Sequence, residues 1–327
     1  LYEMDDFSLL DRWIEVMDRL LRAYPDLVSG PLEARIVCSL FTSLVLRQPH
    51  HPEIEYWAER AYRTSIAQTD INVRVSVETR IALGITYGGH FPKAWSIIEG
   101  VRYLVAQNEV TSFALASLKA VEATYFLLTA QGESCYAAVR EGIEIERNEG
   151  VNILSRQLLA YGAGGALSCG DTDRAESFLE EIDALPGMPA RFDLCLQHLF
   201  STWLAMLRHD AVRSYQQQKL ALRMAIEVGC PVFEVTCRVA AAQVHYESEE
   251  ARAAWLQLQQ IYDTARHIRN HLLEFSALLC YAYVALDSGR RPRSGMRALR
   301  QAFTVAKPRN YLSFPLWRPE VLAQLCS

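Results

Sequence analysis

Gly162-Ala163-Gly164-Gly165 is the stretch closest to a nucleotide-binding pattern, since closely spaced glycines let a backbone approach a pyrophosphate. The third glycine of G-x-G-x-x-G would fall at Leu167, and no strand-like run precedes the stretch, so close helix packing is its expected role. His267 and His271 stand four apart, a spacing that suits two metal ligands on one helix face. Asn270 between them signals a helix end, and no acidic third ligand keeps step, so no metal site is expected. His50-His51, bracketed by Pro49 and Pro52, reads as a solvated loop. No serine stands in G-x-S-x-G, and no G-x-x-x-x-G-K-[ST] phosphate loop occurs. The pairs Glu180-Glu181 and Glu249-Glu250 fall on polar helix faces or at helix starts, where carboxylates suit the helix dipole. With no catalytic constellation in view, the chain is expected not to be an enzyme and to need no cofactor.

Charge and sulfur chemistry narrow the partners. Arg290, Arg291, Arg293, Arg297 and Arg300 form the densest basic cluster and are expected to be a solvated turn and helix face. The net charge of −5 and pI near 6.0 argue against direct nucleic-acid binding by this segment. Only Lys93, Lys119, Lys219 and Lys307 are lysines among 33 basic residues, a bias typical of GC-rich bacterial coding. The eight cysteines (Cys38, Cys135, Cys169, Cys195, Cys230, Cys237, Cys280 and Cys326) are scattered, never in C-x-x-C, and read as buried free thiols of a cytoplasmic protein. The six tryptophans (Trp13, Trp57, Trp95, Trp203, Trp255 and Trp317) are expected in the inter-helix core, with Trp203 the candidate exception. No run reaches the roughly 18 apolar residues of a membrane span, and neither a membrane segment nor a signal peptide is expected from the residues present. Leu1 stands on a helical pattern already under way, so a piece of a longer protein is expected.

The elements that must position these residues are helical from end to end. Leu10, Trp13, Ile14, Met17, Leu20 and Leu21 recur at three- and four-residue spacing, and the pattern stops before Pro25. Breaks then follow at short intervals: Gly30-Pro31, Pro49 to Pro52, Gly88-Gly89, Asn108, Gly132, Gly150, Gly170-Asp171, Pro186-Gly187, His209-Asp210, Gly229, Gly289 and Pro308. In successive hairpins a turn residue is followed five positions later by a small residue expected to begin the packed face of the second helix. The pairs are Gly89 with Ala94, Gly132 with Ala137, Gly170 with Ala175, His209 with Ser214, Tyr246 with Ala251, and Gly289 with Ser294; Ala58 heads the series. Antiparallel helices joined by a tight turn approach most closely just after it, which favours a small side chain there. Strand signals are almost absent, and an all-α fold follows.

Residues 156–187, with Ala163, Gly170-Asp171, Ala175 and Pro186, resemble a degenerate tetratricopeptide repeat. With the opening DRWIEVMDRLLRAYPDL and the closing RNYLSFPLWRPEVLAQLC, nearly the full chain resembles the helical repeat region of bacterial NTPase-dependent transcription activators, the LuxR-type regulators related to the maltose-regulon activator. The resemblance implies a single domain over residues 1–327: a right-handed superhelix of stacked antiparallel helix hairpins, about seven of them, plus terminal helices. It further implies a module that senses a small-molecule inducer or a protein or peptide segment and controls assembly, between an NTPase and a DNA-binding module. The alternative is a standalone tetratricopeptide scaffold for protein–protein interaction. Uncapped ends of such an array leave apolar surface through which two copies can pair. Carrying the family's inward-facing positions onto this chain gives a concave binding groove lined by Thr79, Tyr87, Lys119, Glu122, Phe126, Gln157, Trp203, Gln243 and Tyr283.

Overall fold

The computed structural model describes residues 5–24, 29–150, 152–289, 291–312 and 316–326. Within them the periodic segments become helices α1 Leu10–Ala23, α2 Gly30–Arg47, α3 Ile54–Ile66, α4 Ile71–Tyr87, α5 Phe91–Gln107, α6 Ser112–Leu128, α7 Gly132–Glu149 and α8 Ser155–Ser168. The second half continues with α9 Thr172–Ala184, α10 Arg191–Leu207, α11 Ala211–Val228, α12 Pro231–Glu247, α13 Ala251–His267, α14 His271–Asp287, α15 Pro292–Ala306 and α16 Pro319–Cys326. Short 3-10 turns lie at Phe7–Leu9 and Lys307–Arg309, and no strand occurs among the described residues. The helical start expected at Leu1, the break at Pro25 and the basic residue Arg290 lie outside the described residues. The break between α3 and α4 carries no glycine or proline signal; there Asp70 accepts from the backbone N–H groups of Asn72 and Val73 and so caps α4.

Even- and odd-numbered helices divide the work. From α2/α3 to α14/α15 the helices pack as adjacent antiparallel pairs, and each even helix also packs on the next even one, from α2 through α14. The odd helices lie outside this row and make their substantial contacts with sequence neighbours. Burial follows from that placement. The odd helix α5 buries a single stripe of Phe91, Ala94, Ile97, Ile98 and Val101, the three- and four-residue spacing of an amphipathic helix. The even helix α14 is buried nearly all round, with Leu272, Leu273, Phe275, Leu278, Leu279 and Val284 facing different neighbours.

One turn construction recurs between the members of a pair. Gly89, Ala130, Gly170, His209 and Glu249 adopt φ of 77°, 59°, 77°, 56° and 61°. In each case the following residue donates its N–H to the carbonyl five residues back, as His90 does to Ile85 and Asp171 to Ala166, closing a Schellman cap. The left-handed conformation is free for Gly89 and Gly170 but costs about 1 kcal/mol or more at Ala130, His209 and Glu249. That cost is offset where the cap satisfies helix-end carbonyls that burial would otherwise leave unpaired.

These turns also correct the register of the small residues. Ala94, Ala175 and Ser214 are buried as expected, but Ala137 and Ser294 are exposed and Ala251 only half-buried. The packed residues are instead Cys135, Ala254 and Gly295, each donating its N–H to the carbonyl of the helix-capping residue four back, as the other three do. Ala58 is likewise one residue late, because Trp57 holds that position in α3 and is fully buried. After α6 and α12 the physical reason is that Ala130 and Glu249, not Gly132 and Tyr246, take the left-handed turn conformation; after α14 the turn is Gly289 as expected, and the packed residue stands six positions on instead of five. Counted from the true turns, Ala94, Cys135, Ala175, Ser214, Ala254 and Gly295 follow one another at 41, 40, 39, 40 and 41 residues.

The glycines of α8 pack helices, as expected. A Cβ on Gly164 would lie 2.6 Å from the Phe200 ring, and one on Gly162 would lie 2.9 Å from Phe178. The row of even helices also returns on itself. Arg47 at the end of α2 donates to the Gly229 carbonyl oxygen at 2.7 Å while paired with Asp11. The Asn270 amide caps α14 and donates to the Tyr87 carbonyl oxygen at 2.8 Å. Tyr311 donates its hydroxyl to the Gly89 carbonyl oxygen at 3.0 Å, with its ring against Phe91 and Phe275. Contacts spanning some two hundred residues therefore join α2 and α4 to α12 and α14.

Candidate functional site

Where the even helices meet, their inner faces line an apolar cavity of about 50 Å³. Six helices line it, among them α4 through Tyr87, α6 through Thr124, α8 through Tyr161, α10 through Phe200, α12 through Phe233 and α14 through Leu272. Its few polar groups are paired: Thr124 and Thr236 donate their hydroxyls to the Ala120 and Val232 carbonyl oxygens of their own helices. The hydroxyls of Tyr87 and Tyr161 lie 3.1 Å apart, and burial pushes the Tyr161 phenol up while its bonds to Tyr87 and Thr124 pull it down. Tyr87 meets Phe233 edge-on at 5.6 Å between centroids. A larger hollow of about 270 Å³ lies on the outside, between Arg147 of α7, Ser155 of α8 and Glu181 of α9.

Further along the inner face, three of the expected groove residues come together on one occupant. Trp203 of α10, Gln243 of α12 and Tyr283 of α14 each stand six residues before the turn residue of their hairpin, so they occupy equivalent places on neighbouring helices. The chain's own Leu316-Trp317-Arg318 is seated on them. Trp203 donates its indole N–H to the Trp317 carbonyl oxygen at 3.1 Å, and the Gln243 amide donates to the Leu316 carbonyl oxygen at 3.4 Å. The Arg318 guanidinium donates to the Tyr283 hydroxyl at 3.2 Å and pairs with Glu247. Burial raises the Glu247 carboxyl above the usual carboxylate range, against the pull of Arg318.

The remaining expected groove residues stand elsewhere. Lys119, Glu122 and Phe126 join α6 to the outer helices: Glu122 pairs with Lys119 at 2.9 Å, and Lys119 with Glu141 of α7 at 2.6 Å. Glu122 Oε1 faces Arg102 Nε of α5 at 3.1 Å, outside hydrogen-bond geometry, and Arg102 lies over Trp95, whose ring meets Phe126. Burial works against the charge of Lys119, yet its bonds to Glu141 and Glu122 outweigh that and raise its pKa. Gln157 is half-buried beside Asp193, whose carboxyl burial holds above the ordinary range against the pull of Gln157. Thr79 is buried with its hydroxyl oxygen unpartnered. The place in α6 equivalent to Trp203, Gln243 and Tyr283 belongs to Thr124, which becomes visible only once Ala130 is recognised as the turn residue.

The other reactive groups are accounted for by packing. Burial drives the thiols up, to about 11 for Cys38 and about 12 for Cys230 and Cys280, which disfavours the thiolate. Cys169 and Cys326 are exposed, a correction to their expected burial, because one sits at a turn and the other at the end of α16. Trp13 is also exposed, on the outer side of α1, while Trp57, Trp203 and Trp317 are buried. His267 ends α13 and His271 opens α14, so the two do not share a helix face. Among the described residues no group of three or more metal-ligating side chains gathers, and no helix is long and apolar enough to cross a membrane. Arg291 lies over Trp255 at 4.7 Å, and Arg293, Arg297 and Arg300 are exposed on α15. No family model matches the chain, and no curated protein matches it.

Proposed function

We propose that this chain is the ligand- or partner-sensing region of a bacterial transcription activator, a right-handed superhelix of tetratricopeptide-like hairpins acting in the cytoplasm beside NTPase and DNA-binding modules. The observation that carries this reading is the recurrence of one hairpin construction at 39 to 41 residues, each unit packed on its neighbours. Arrays of this kind respond to a ligand as a whole, because a small rotation at each pair adds up along the row. A ligand that fits one curvature better shifts the population toward it, and only its differential affinity does so. Recognition rather than catalysis is supported by buried thiols held in the neutral form and by carboxylates engaged with arginine, lysine or backbone N–H groups.

A standalone scaffold for protein segments is the second reading, favoured by the inner face already holding a stretch of polypeptide. The coding frame on either side of the chain separates the two. A phosphate loop upstream and a DNA-binding domain downstream support the activator; a start codon and a stop codon at these ends sink it in favour of the scaffold.

A further inference from the structure

The segment seated on α10, α12 and α14 is held imperfectly. Six buried side-chain polar atoms make no hydrogen bond among the described residues, and three of them, Gln243 Oε1, Trp317 Nε1 and Arg318 Nε, belong to this one contact. Each is a buried polar atom whose hydrogen-bonding capacity the protein leaves unused. Leu316, fully buried, adopts a φ of 80°, which a branched side chain takes only under strain. The bonds that do form read main chain and one side chain: Trp203 and Gln243 address main-chain carbonyls, and Glu247 with Tyr283 addresses an arginine. Glu247 is 29% exposed at its side chain, so losing Arg318 leaves a poorly solvated carboxyl, and an incoming segment must bring a cation of its own.

We propose that this face is a docking site for an extended protein segment that presents an aromatic residue followed by arginine, and that residues 316–318 are its resident competitor. The proposal rests on the reading of the chain as a partner-sensing module and names the partner's chemistry. A backbone N–H of the incoming segment would meet Gln243 Oε1, which the resident segment leaves unpaired.

The probe is a fluorescein-labelled synthetic peptide of residues 311–326, titrated by fluorescence polarisation against the full chain and against the chain carrying Trp317→Ala and Arg318→Ala. The opened variant is expected to bind at least roughly tenfold more tightly than the intact chain, and Gln243→Leu within it to reduce binding by about as much again. A peptide whose arginine is replaced by glutamate should not bind. An opened variant that stays helical by circular dichroism yet binds no better than the intact chain overturns the proposal; the wider activator reading is judged separately, on its flanking modules. Should the opened variant unfold, hydrogen exchange on the intact chain decides. Amides of α16 exchanging well before those of α12 and α14 support a displaceable segment, whereas exchange only together with them overturns it.

Discussion

Trp203 and Trp317 stand 114 residues apart, yet the indole N–H of the first donates to the carbonyl oxygen of the second at 3.1 Å, with both side chains buried. The bond ties the inner face of α10 to the segment that leads into α16. Trp203→Phe keeps an aromatic ring there but leaves the Trp317 carbonyl without its donor. A loss of about 1–3 kcal/mol is expected, the usual cost of a buried group left unpaired. Urea unfolding should show a lower midpoint with an unchanged slope. An unchanged midpoint would mean that the carbonyl finds another partner and that the bond contributes little.

Two glycines on neighbouring outer helices should respond in opposite directions to alanine. A Cβ on Gly132, at the start of α7, would lie 2.6 Å from the Gly165 carbonyl oxygen and closer still to Cys169 Sγ. Backbone cannot yield as a flexible side chain can, so Gly132→Ala is expected to cost about 1–3 kcal/mol through overpacking. Gly100, within α5, is exposed, and a Cβ there would meet nothing within 4 Å. Gly100→Ala should stabilise by about 0.5–1 kcal/mol through helix propensity and the lower entropy of the unfolded chain. Thermal midpoints that move the same way in both variants would contradict the packing account of Gly132.

What the sequence made legible depended on whether a turn announced itself. Helices of the outer layer carry a plain stripe, as in α5, and their ends at Gly150 and Gly229 are left-handed glycine caps that any reading for breaks would find. The register of the hairpins was harder to read, because Ala130 and Glu249 take a conformation their residue types disfavour. That misplacement carried through to the inner face. His209 and Gly289 mark the places of Trp203 and Tyr283 in the sequence, whereas nothing about Ala130 marks Thr124, and Lys119, Glu122 and Phe126 stand out on α6 instead. The occupant of the face left no trace at all, since a bond spanning 114 residues has no periodic signature.

Thiol accessibility gives a direct check on the division between inner and outer surface. Cys169 and Cys326 are exposed, while Cys38, Cys135, Cys195, Cys230, Cys237 and Cys280 are buried. Five of these buried thiols, Cys38, Cys135, Cys230, Cys237 and Cys280, are also held protonated: desolvation raises Cys230 and Cys280 to about 12, and the neighbouring Cys195 together with burial raises Cys237. A maleimide reagent at neutral pH is expected to modify two cysteines of the native chain rapidly and the other six only on unfolding, as read by intact mass. Rapid modification of a third site would place an opening at that helix.

The return of the helix row upon itself should make the protein lose stability in mild acid. The rings of His50, in the loop after α2, and His267, at the end of α13, lie 4.5 Å apart between centroids. Burial foremost, then His267, His51 and Arg269, hold His50 below the ordinary imidazole value. His90 is lowered by burial first, with His271, Lys93 and Arg309 adding to the effect and Glu55 opposing it. A histidine harder to protonate in the folded than in the unfolded chain leaves the unfolded chain binding more protons. Its contribution is therefore complete above about pH 6.5 and is lost as pH falls through that value toward the lowered ones. Asp193 and Glu247 act in the opposite sense, because their raised carboxyls protonate more readily in the folded chain and gain stability as pH falls. The wild-type curve mixes the two, and comparison with a His50→Gln, His90→Gln variant separates them. Between about pH 7.5 and about pH 5.5 the wild type should lose more unfolding free energy than the variant, measured by urea titration at both values. Equal losses would show that these histidines take up protons as easily folded as unfolded, and that the meeting of α2 and α4 with α12 and α14 is insensitive to their charge.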